Sequence, residues 1–311
     1  MKSMHFYYKS EDKVTNIHAI EWVPDGEVKA ILQIAHGMVE FIDRYKEFAE
    51  FLNDRGILVV GNDHLGHGKS VRSKDYYGYF AGEHGNRAVI RDIHKLRIIV
   101  SKGYENVPYF IMGHSMGSFL VRQYICIHGK GLAGAIIMGT GWHSALETWL
   151  GMRLTSAIAA KKGWDYVSDF VDKLAFGGYN ASFGDGDGKD WLSANGENVQ
   201  WCSSEPMCNF KFTVNGYYNM FYGINMLSHK KYLQKMPKDL PVAFVAGDDD
   251  PVGNFGVGVL KVYEQFISLG MSDVSCKLYP GDRHEILNED DRYDVFNYIY
   301  QWICEKINER E

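Results

Sequence analysis

The sequence predicts an α/β fold: a mostly parallel sheet of about eight strands, covered by helices on both faces and interrupted once by a long insert. Three observations carry that prediction. Short apolar runs alternate with amphipathic helical stripes through most of the chain. A Gly-x-Ser-x-Gly pentapeptide, Gly113-His114-Ser115-Met116-Gly117, sits where one such run stops and a helix begins. Between about residues 141 and 237 the alternation breaks and aromatic residues accumulate.

The first segments, near Met4–Tyr8 and Asn16–Val23, alternate less cleanly and are expected to begin the sheet as antiparallel edge strands. Lys29 to His36 reads as the third strand, followed by a helical stripe of Ile42, Tyr45, Phe48, Ala49 and Leu52 that Gly56 closes. Ile57–Val60 is a buried strand, and Val89, Ile90, Ile93, Leu96 and Val100 mark the next helix, ending near Gly103. Tyr109–Met112, opened by Pro108, is the strand before the pentapeptide. Leu120, Tyr124 and Ile127 give the helix after it. Leu132–Met138 is the sixth strand, Val242–Ala246 the seventh and Val274–Leu278 the eighth. Val259, Tyr263, Phe266 and Leu269 stripe the helix between the last two, and Val295, Phe296, Ile299, Trp302 and Ile303 stripe the final helix.

Trp142, Trp149, Trp164, Trp191 and Trp201, together with Phe170, Phe176, Phe183, Phe210, Phe212 and Phe221, lie in the stretch without rhythm. It is too long for a loop. The expected organisation is therefore a core of residues 1–140 and 238–311, with 141–237 inserted as a largely helical cap. At least half of its aromatics are expected to pack inside it, the rest lining an apolar pocket. A length of 311 residues suits one large domain with such an insert, and 46% apolar residues argue against disorder. The net charge of −6 argues against nucleic acid as a partner. The N-terminus lacks the apolar core of a signal peptide, and no run approaches a membrane span. Five cysteines without a spaced framework suggest reduced thiols and a cytoplasmic setting. Cys202 and Cys208 lack a second pair with ligand spacing, so no zinc site is expected.

Gly-x-Ser-x-Gly between strand and helix is a nucleophile elbow. It holds a serine on a tight, strained turn, and its glycines make room for the helix to fold back on the strand. A serine hydroxyl needs a base to take its proton and an acid to orient that base. Both follow in order, each just past a predicted strand: Asp248, Asp249 and Asp250 after the seventh, and His284 after the eighth. Two backbone N–H groups must also meet a developing oxyanion. Met116, next after the nucleophile, supplies one, and Met38, in the His36-Gly37-Met38 loop after the third strand, supplies the other. His36 is expected to fix that loop rather than act as a base.

These stretches resemble the monoacylglycerol lipase and lysophospholipase branch of the serine α/β-hydrolases. The likeness rests on His36-Gly37-Met38 with Glu40 and Arg44-Tyr45, on Asn62–Ser70, on Gly113–Gly117 and on Asp190-Trp191-Leu192-Ser193. It continues through Gly247 with Asp250-Pro251-Val252 and through Tyr279–Glu285 with Leu287-Asn288-Glu289. It implies an α/β-hydrolase fold with Ser115 as nucleophile, Asp250 (the aspartate before proline) as acid and His284 as base. The activity implied is cofactor-free hydrolysis of a monoacyl lipid-like ester, either a monoacylglycerol or a lysophospholipid. One departure is visible: where the family carries a charged, acidic stretch after Asp-Trp-Leu-Ser, this chain has Ala194-Asn195-Gly196-Glu197.

Rival readings keep the same triad: a thioesterase, or an iminopeptidase-like amidase with Glu147, Glu197 or Glu205 receiving the amine. A non-catalytic binding protein on the same fold is a further rival. Gly66–Ser70 ends like a phosphate loop, but Asp63 occupies the place of its first glycine. Asp63, His64 and His67 could be drawn as metal ligands, but the resemblance implies that they form a structural loop, and no metal is expected there. Asp185-Gly186-Asp187-Gly188 reads as a cap turn rather than a calcium loop, because Lys189 stands at the next ligand position. Activity is expected to rise with pH through one histidine ionisation near neutrality and to be indifferent to chelators.

Overall fold

Eight strands pair into one sheet in the computed structural model, which describes residues 2–184 and 188–310. In chain order they are β1 (Lys2–Lys9), β2 (Asn16–Val23), β3 (Ala30–Ala35), β4 (Ile57–Asn62), β5 (Tyr109–His114), β6 (Gly134–Met138), β7 (Val242–Gly247) and β8 (Val274–Tyr279). Their spatial order is β1-β2-β4-β3-β5-β6-β7-β8. Only β2 pairs antiparallel, with β1 on one side and β4 on the other; the rest of the sheet is parallel. Strands β3 to β7 are buried along their whole length, which is why they read as continuous apolar runs. The edges β1 and β8 are partly open to solvent, and their patterns are correspondingly weaker.

Five helices cover the faces. On one side, α1 (Lys46–Asn53) and α10 (Arg292–Asn308) pack through Phe48 and Phe296, whose rings lie 4.8 Å apart. On the other side, α2 (Gly85–Ser101), α3 (Met116–His128) and α9 (Val257–Ser268) bury Val89, Ile93, Leu120, Tyr124, Val259 and Phe266. Ile127, placed by spacing on the buried stripe of α3, is 53% exposed. It lies in the last turn, and the helix buries Ile125 and Cys126 there instead.

Between β6 and β7 the chain is mainly helical: α4 (Ala145–Lys162), α5 (Asp169–Phe176), α6 (Gly196–Ser204), α7 (Val214–Met226) and α8 (Lys230–Leu233). Four of these start on a side-chain cap. Ser144, Ser168, Asn195 and Thr213 each accept a backbone N–H of the first turn, worth about 1 kcal/mol apiece. The aromatics expected inside this segment divide. Phe212 is fully buried, Trp191 and Phe176 are half-buried, and Trp142, Trp149, Trp164, Phe170 and Trp201 are exposed. Residues 185–187 of the stretch read as a turn lie outside the described residues. Among the described residues no helix is long and apolar enough to cross a membrane.

Two seams join this segment to the sheet. At one, Thr213 Oγ1 donates to Gly78 O at 2.9 Å and Asn219 Oδ1 accepts the Asn86 N–H at 2.9 Å. At the other, Glu285 N–H donates to Leu192 O at 2.7 Å, and Arg283 Nη1 donates to Asp190 O at 2.6 Å and Ser193 O at 3.2 Å. Glu289 completes the second seam by accepting from Ser193 Oγ at 2.8 Å and from the Ala194 N–H at 2.9 Å.

Candidate active site

Ser115 stands between the last residue of β5 and the first of α3, with φ 53° and ψ −120°. That backbone region is sparsely populated for a non-glycine residue and costs about 1–3 kcal/mol. The flanking glycines explain how the turn closes. A Cβ on Gly117 would run into the Ala35 carbonyl, and one on Gly113 would overlap the backbone of Gly117. Helix α3 can therefore pack back against β3 and β5 only without side chains at both positions. Ser115 N–H is held by Met138 O at 3.0 Å, which fixes the elbow to β6. Its hydroxyl makes no protein hydrogen bond among the described residues.

His284 follows β8 and Asp250 follows β7, both at the carboxyl ends of parallel strands. His284 Nδ1 lies 2.9 Å from Asp250 Oδ2, with both side chains buried. A carboxylate on Nδ1 fixes the proton there and leaves Nε2 as the acceptor. Asp250 Oδ1 in turn accepts the Val252 N–H at 2.8 Å. Of the neighbouring aspartates, Asp249 is exposed, and Asp248 Oδ1 accepts the Gly281 N–H at 2.7 Å. The Trp191 ring lies 5.1 Å from that of His284, placing one tryptophan of the inserted segment on the histidine.

The loop after β3 comes up against the elbow. A Cβ on Gly37 would lie 3.1 Å from Ser115 Cβ, so the loop touches Ser115 through bare backbone. Neither the Met38 nor the Met116 N–H is bonded to an acceptor among the described residues. His36 has both ring nitrogens engaged: Nε2 accepts the His64 N–H at 2.9 Å, and Nδ1 donates to Gly37 O at 2.8 Å. Burial and the neighbouring His64 and His67 push its pKa well down. A ring that is neutral and spent on two backbone bonds holds a loop and is no base. Burial likewise lowers His64 to about 3 and His67 to about 4. Asp63 is saturated by protein donors, with Oδ2 receiving His18 Nδ1 and Lys69 N–H, each at 2.8 Å, and Oδ1 the Ile42 N–H at 2.9 Å.

Behind these loops lies a buried charge cluster that spacing gave no sign of. Glu40 Oε1 accepts the Gly37 N–H and, at 3.0 Å, the Tyr45 hydroxyl; Oε2 accepts from Arg44 Nη1 at 3.0 Å. Arg44 also grips Glu285 in a bidentate pair at 2.8 and 2.7 Å, and Asn198 of α6 donates to the same carboxylate at 2.7 Å. His114 lies between Glu40 Oε1, 3.2 Å from Nδ1, and His284 O, 3.0 Å from Nε2. Burial alone would raise Glu285, but the Arg44 charge and hydrogen bonds outweigh it and hold the carboxyl down at about 2. Glu40, Arg44 and Glu285 belong to the motifs that carry the family resemblance, and Tyr45 to the helical stripe after β3 as well; their contacts show what they hold. Of the three carboxylates weighed for an amine, Glu205 caps the turn at Met207, Glu197 is exposed on α6, and Glu147 pairs with His143 at 3.2 Å.

Comparison with known proteins agrees with this architecture. The profile of the family described as serine aminopeptidase, S33 (Hydrolase_4) matches residues 26–291. The chain is 35% identical to a monoglyceride lipase of Mus musculus over 92% of its own length and 86% of that protein. It is 26% identical to a monoacylglycerol lipase of Mycolicibacterium smegmatis, over 91% and 90%. Among solved structures, a highly thermostable carboxyl esterase from Bacillus coagulans, in complex with glycerol, superposes with a TM-score of 0.91 at 28% identity, covering 99% of both chains. The chain therefore belongs to the serine aminopeptidase S33 (Hydrolase_4) family of α/β-hydrolases, as a serine hydrolase related to monoglyceride lipases and carboxylesterases.

Proposed function

We propose that the protein hydrolyses monoacyl lipid-like esters through a Ser115–His284–Asp250 triad and an acyl-enzyme. The observation that carries the reading is the meeting of a strained elbow serine with a bare-backbone loop, together with a buried His284–Asp250 pair whose histidine carbonyl lies 3.0 Å from the His114 ring, one residue before the serine. Ser115 Oγ attacks the ester carbonyl while its proton passes to His284 Nε2. Asp250 stabilises the imidazolium that results, and the Met38 and Met116 N–H groups receive the oxyanion. Collapse expels the alcohol with the proton from His284. Water then repeats the sequence on the acyl-enzyme and releases the acid.

The substrate class is supported by the names of the relatives and by the aromatic load of 141–237, which we read as a cap over Ser115. Each acyl methylene buried there is worth about 0.8 kcal/mol, roughly fourfold in binding. The test is kcat/KM against acyl length for monoacylglycerols, lysophospholipids and short aryl esters, with fluorophosphonate labelling of wild type and Ser115→Ala. A rise with chain length and labelling lost in Ser115→Ala are expected. A flat profile would leave a generic carboxylesterase, and labelling retained in Ser115→Ala would remove the triad. The family description favours one second reading, an aminopeptidase. Preference for an aminoacyl anilide over every ester, abolished by Glu147→Gln, would establish it instead.

A further inference from the structure

We propose that His114 is a positioning residue that works as an imidazolium, tying the Gly37 loop to the His284 loop behind the nucleophile, and that its loss of a proton lowers activity on the alkaline side. The inference rests on the triad assigned above. His114 closes β5 and is 5% exposed, so water cannot stand in for its partners. Its two ring nitrogens face two acceptors, Glu40 Oε1 at 3.2 Å and the His284 carbonyl at 3.0 Å. A neutral imidazole has one N–H and would leave one acceptor facing a lone pair.

Glu40 cannot supply the missing proton. Its carboxylate already receives the Gly37 N–H, the Tyr45 hydroxyl and an Arg44 N–H. The charge balance points the same way. The groups facing His114 and those behind them are His36, Glu40, Arg44 and Tyr45 from the segment after β3, His284 and Glu285 from the loop after β8, and Asp250 behind His284. Glu40 and Glu285 outnumber the Arg44 guanidinium, Asp250 adds a further carboxylate behind His284, and a protonated His114 offsets part of that excess. Burial alone would lower the His114 pKa; the Glu40 hydrogen bond, with the charges of Glu40 and Glu285, outweighs it and raises the group above its ordinary value.

His114 is bonded to the main chain of the base itself. When it loses its proton, either the Glu40 or the His284 contact is lost. Glu40 also holds the Gly37 N–H, so the oxyanion loop and the imidazole lose a common anchor. The pH profile of kcat/KM gains an alkaline limb on top of the acidic limb expected from His284.

The first measurement is made on the wild-type protein labelled with ¹⁵N-histidine. At pH 7 both His114 ring nitrogens should carry protons, and a spectrum with one bare nitrogen overturns the proposal whatever the kinetics show. The second is the pH–rate profile of a short aryl ester. Glu40→Gln should move the alkaline midpoint down by about 1–2 pH, since an opposite charge at this range supports a shift of that size. His114→Asn should act at a reduced rate with no alkaline limb. An alkaline limb unmoved by Glu40→Gln, or kept in His114→Asn, refutes the role. Hydrolysis surviving in His284→Ala would instead sink the triad, while the nitrogen spectrum would still report the state of His114.

Discussion

Replacing Gly37 by alanine tests the proposed oxyanion loop at the point where it meets Ser115. The added Cβ would lie 2.6 Å from Glu40 Oε1 and 3.1 Å from Ser115 Cβ, whereas ordinary contact begins near 3.4 Å. Something must retreat by about 0.8 Å from the carboxylate. Glu40 is fixed by Arg44, Tyr45 and His114, so the loop yields, and it carries the Met38 N–H with it. Oxyanion donors act only at about 2.7–3.1 Å, and loss of one costs about 10²–10³ in kcat. Gly37→Ala should therefore lower kcat/KM for a short aryl ester by about 10²–10³, with fluorophosphonate labelling slowed in parallel. Gly26→Ala serves as control, because nothing lies within 4 Å of its added Cβ. Gly37→Ala retaining activity within about threefold of wild type would refute the placement of the loop, provided its thermal unfolding shows a folded protein.

Three further outcomes are expected. Asp250→Asn should lower kcat by about 10³–10⁴, because the imidazole loses its orienting partner, while Asp249→Asn should cost less than about tenfold; equal damage from both in steady-state kinetics would reverse the choice of acid. Trp191→Leu should reduce kcat/KM about three- to thirtyfold for acetyl and long-chain esters alike, since the indole beside His284 stabilises the imidazolium; a loss confined to long chains would make Trp191 a wall of the acyl pocket. Burial raises Asp92 to about 7 against the bonds from Ser10 and the Glu11 N–H. The folded state therefore binds more protons than the unfolded between about pH 4 and 7, and the stability this group contributes is lost as pH rises through that window. In urea melts Asp92→Asn should gain on wild type from pH 5 to pH 8, on the order of 1–3 kcal/mol, and a pH-independent difference would contradict this.

How much of this was legible follows from where each signal lives. Strands β3 to β7 announce themselves because burial on both faces demands unbroken apolar runs, and the elbow because two glycines and a serine are local requirements. Both edges of the sheet were readable but weaker, as solvent on one side relaxes the pattern. The stripe of α3 ran one turn too far at Ile127, since spacing does not reveal where a helix leaves its neighbours. Helix α4 shows no single apolar stripe. Gly151 lets the Phe221 ring of α7 approach closely, while Leu146, Trp149 and Leu150 face outward. The Glu40–Arg44–Glu285–His114 cluster joins residues up to 241 positions apart, which no local period encodes. Motif likeness marked several of its members without saying what they hold.

The seam between Asp190–Ala194 and Arg283–Glu289 sets a rule for exchanging inserts among relatives. Arg283, Glu285 and Glu289 fasten the inserted chain to the same short loop that carries His284. A chimera cut at the ends of 141–237 would transplant one half of that fastening and leave the other behind, so a foreign insert would arrive with the His284 loop loosened. Grafts that keep residues 190–194 from the recipient, and take only the stretches before and after them, leave the histidine loop on its native partner. The rest of the insert in such a hybrid can then vary while the loop that carries His284 keeps its native fastening.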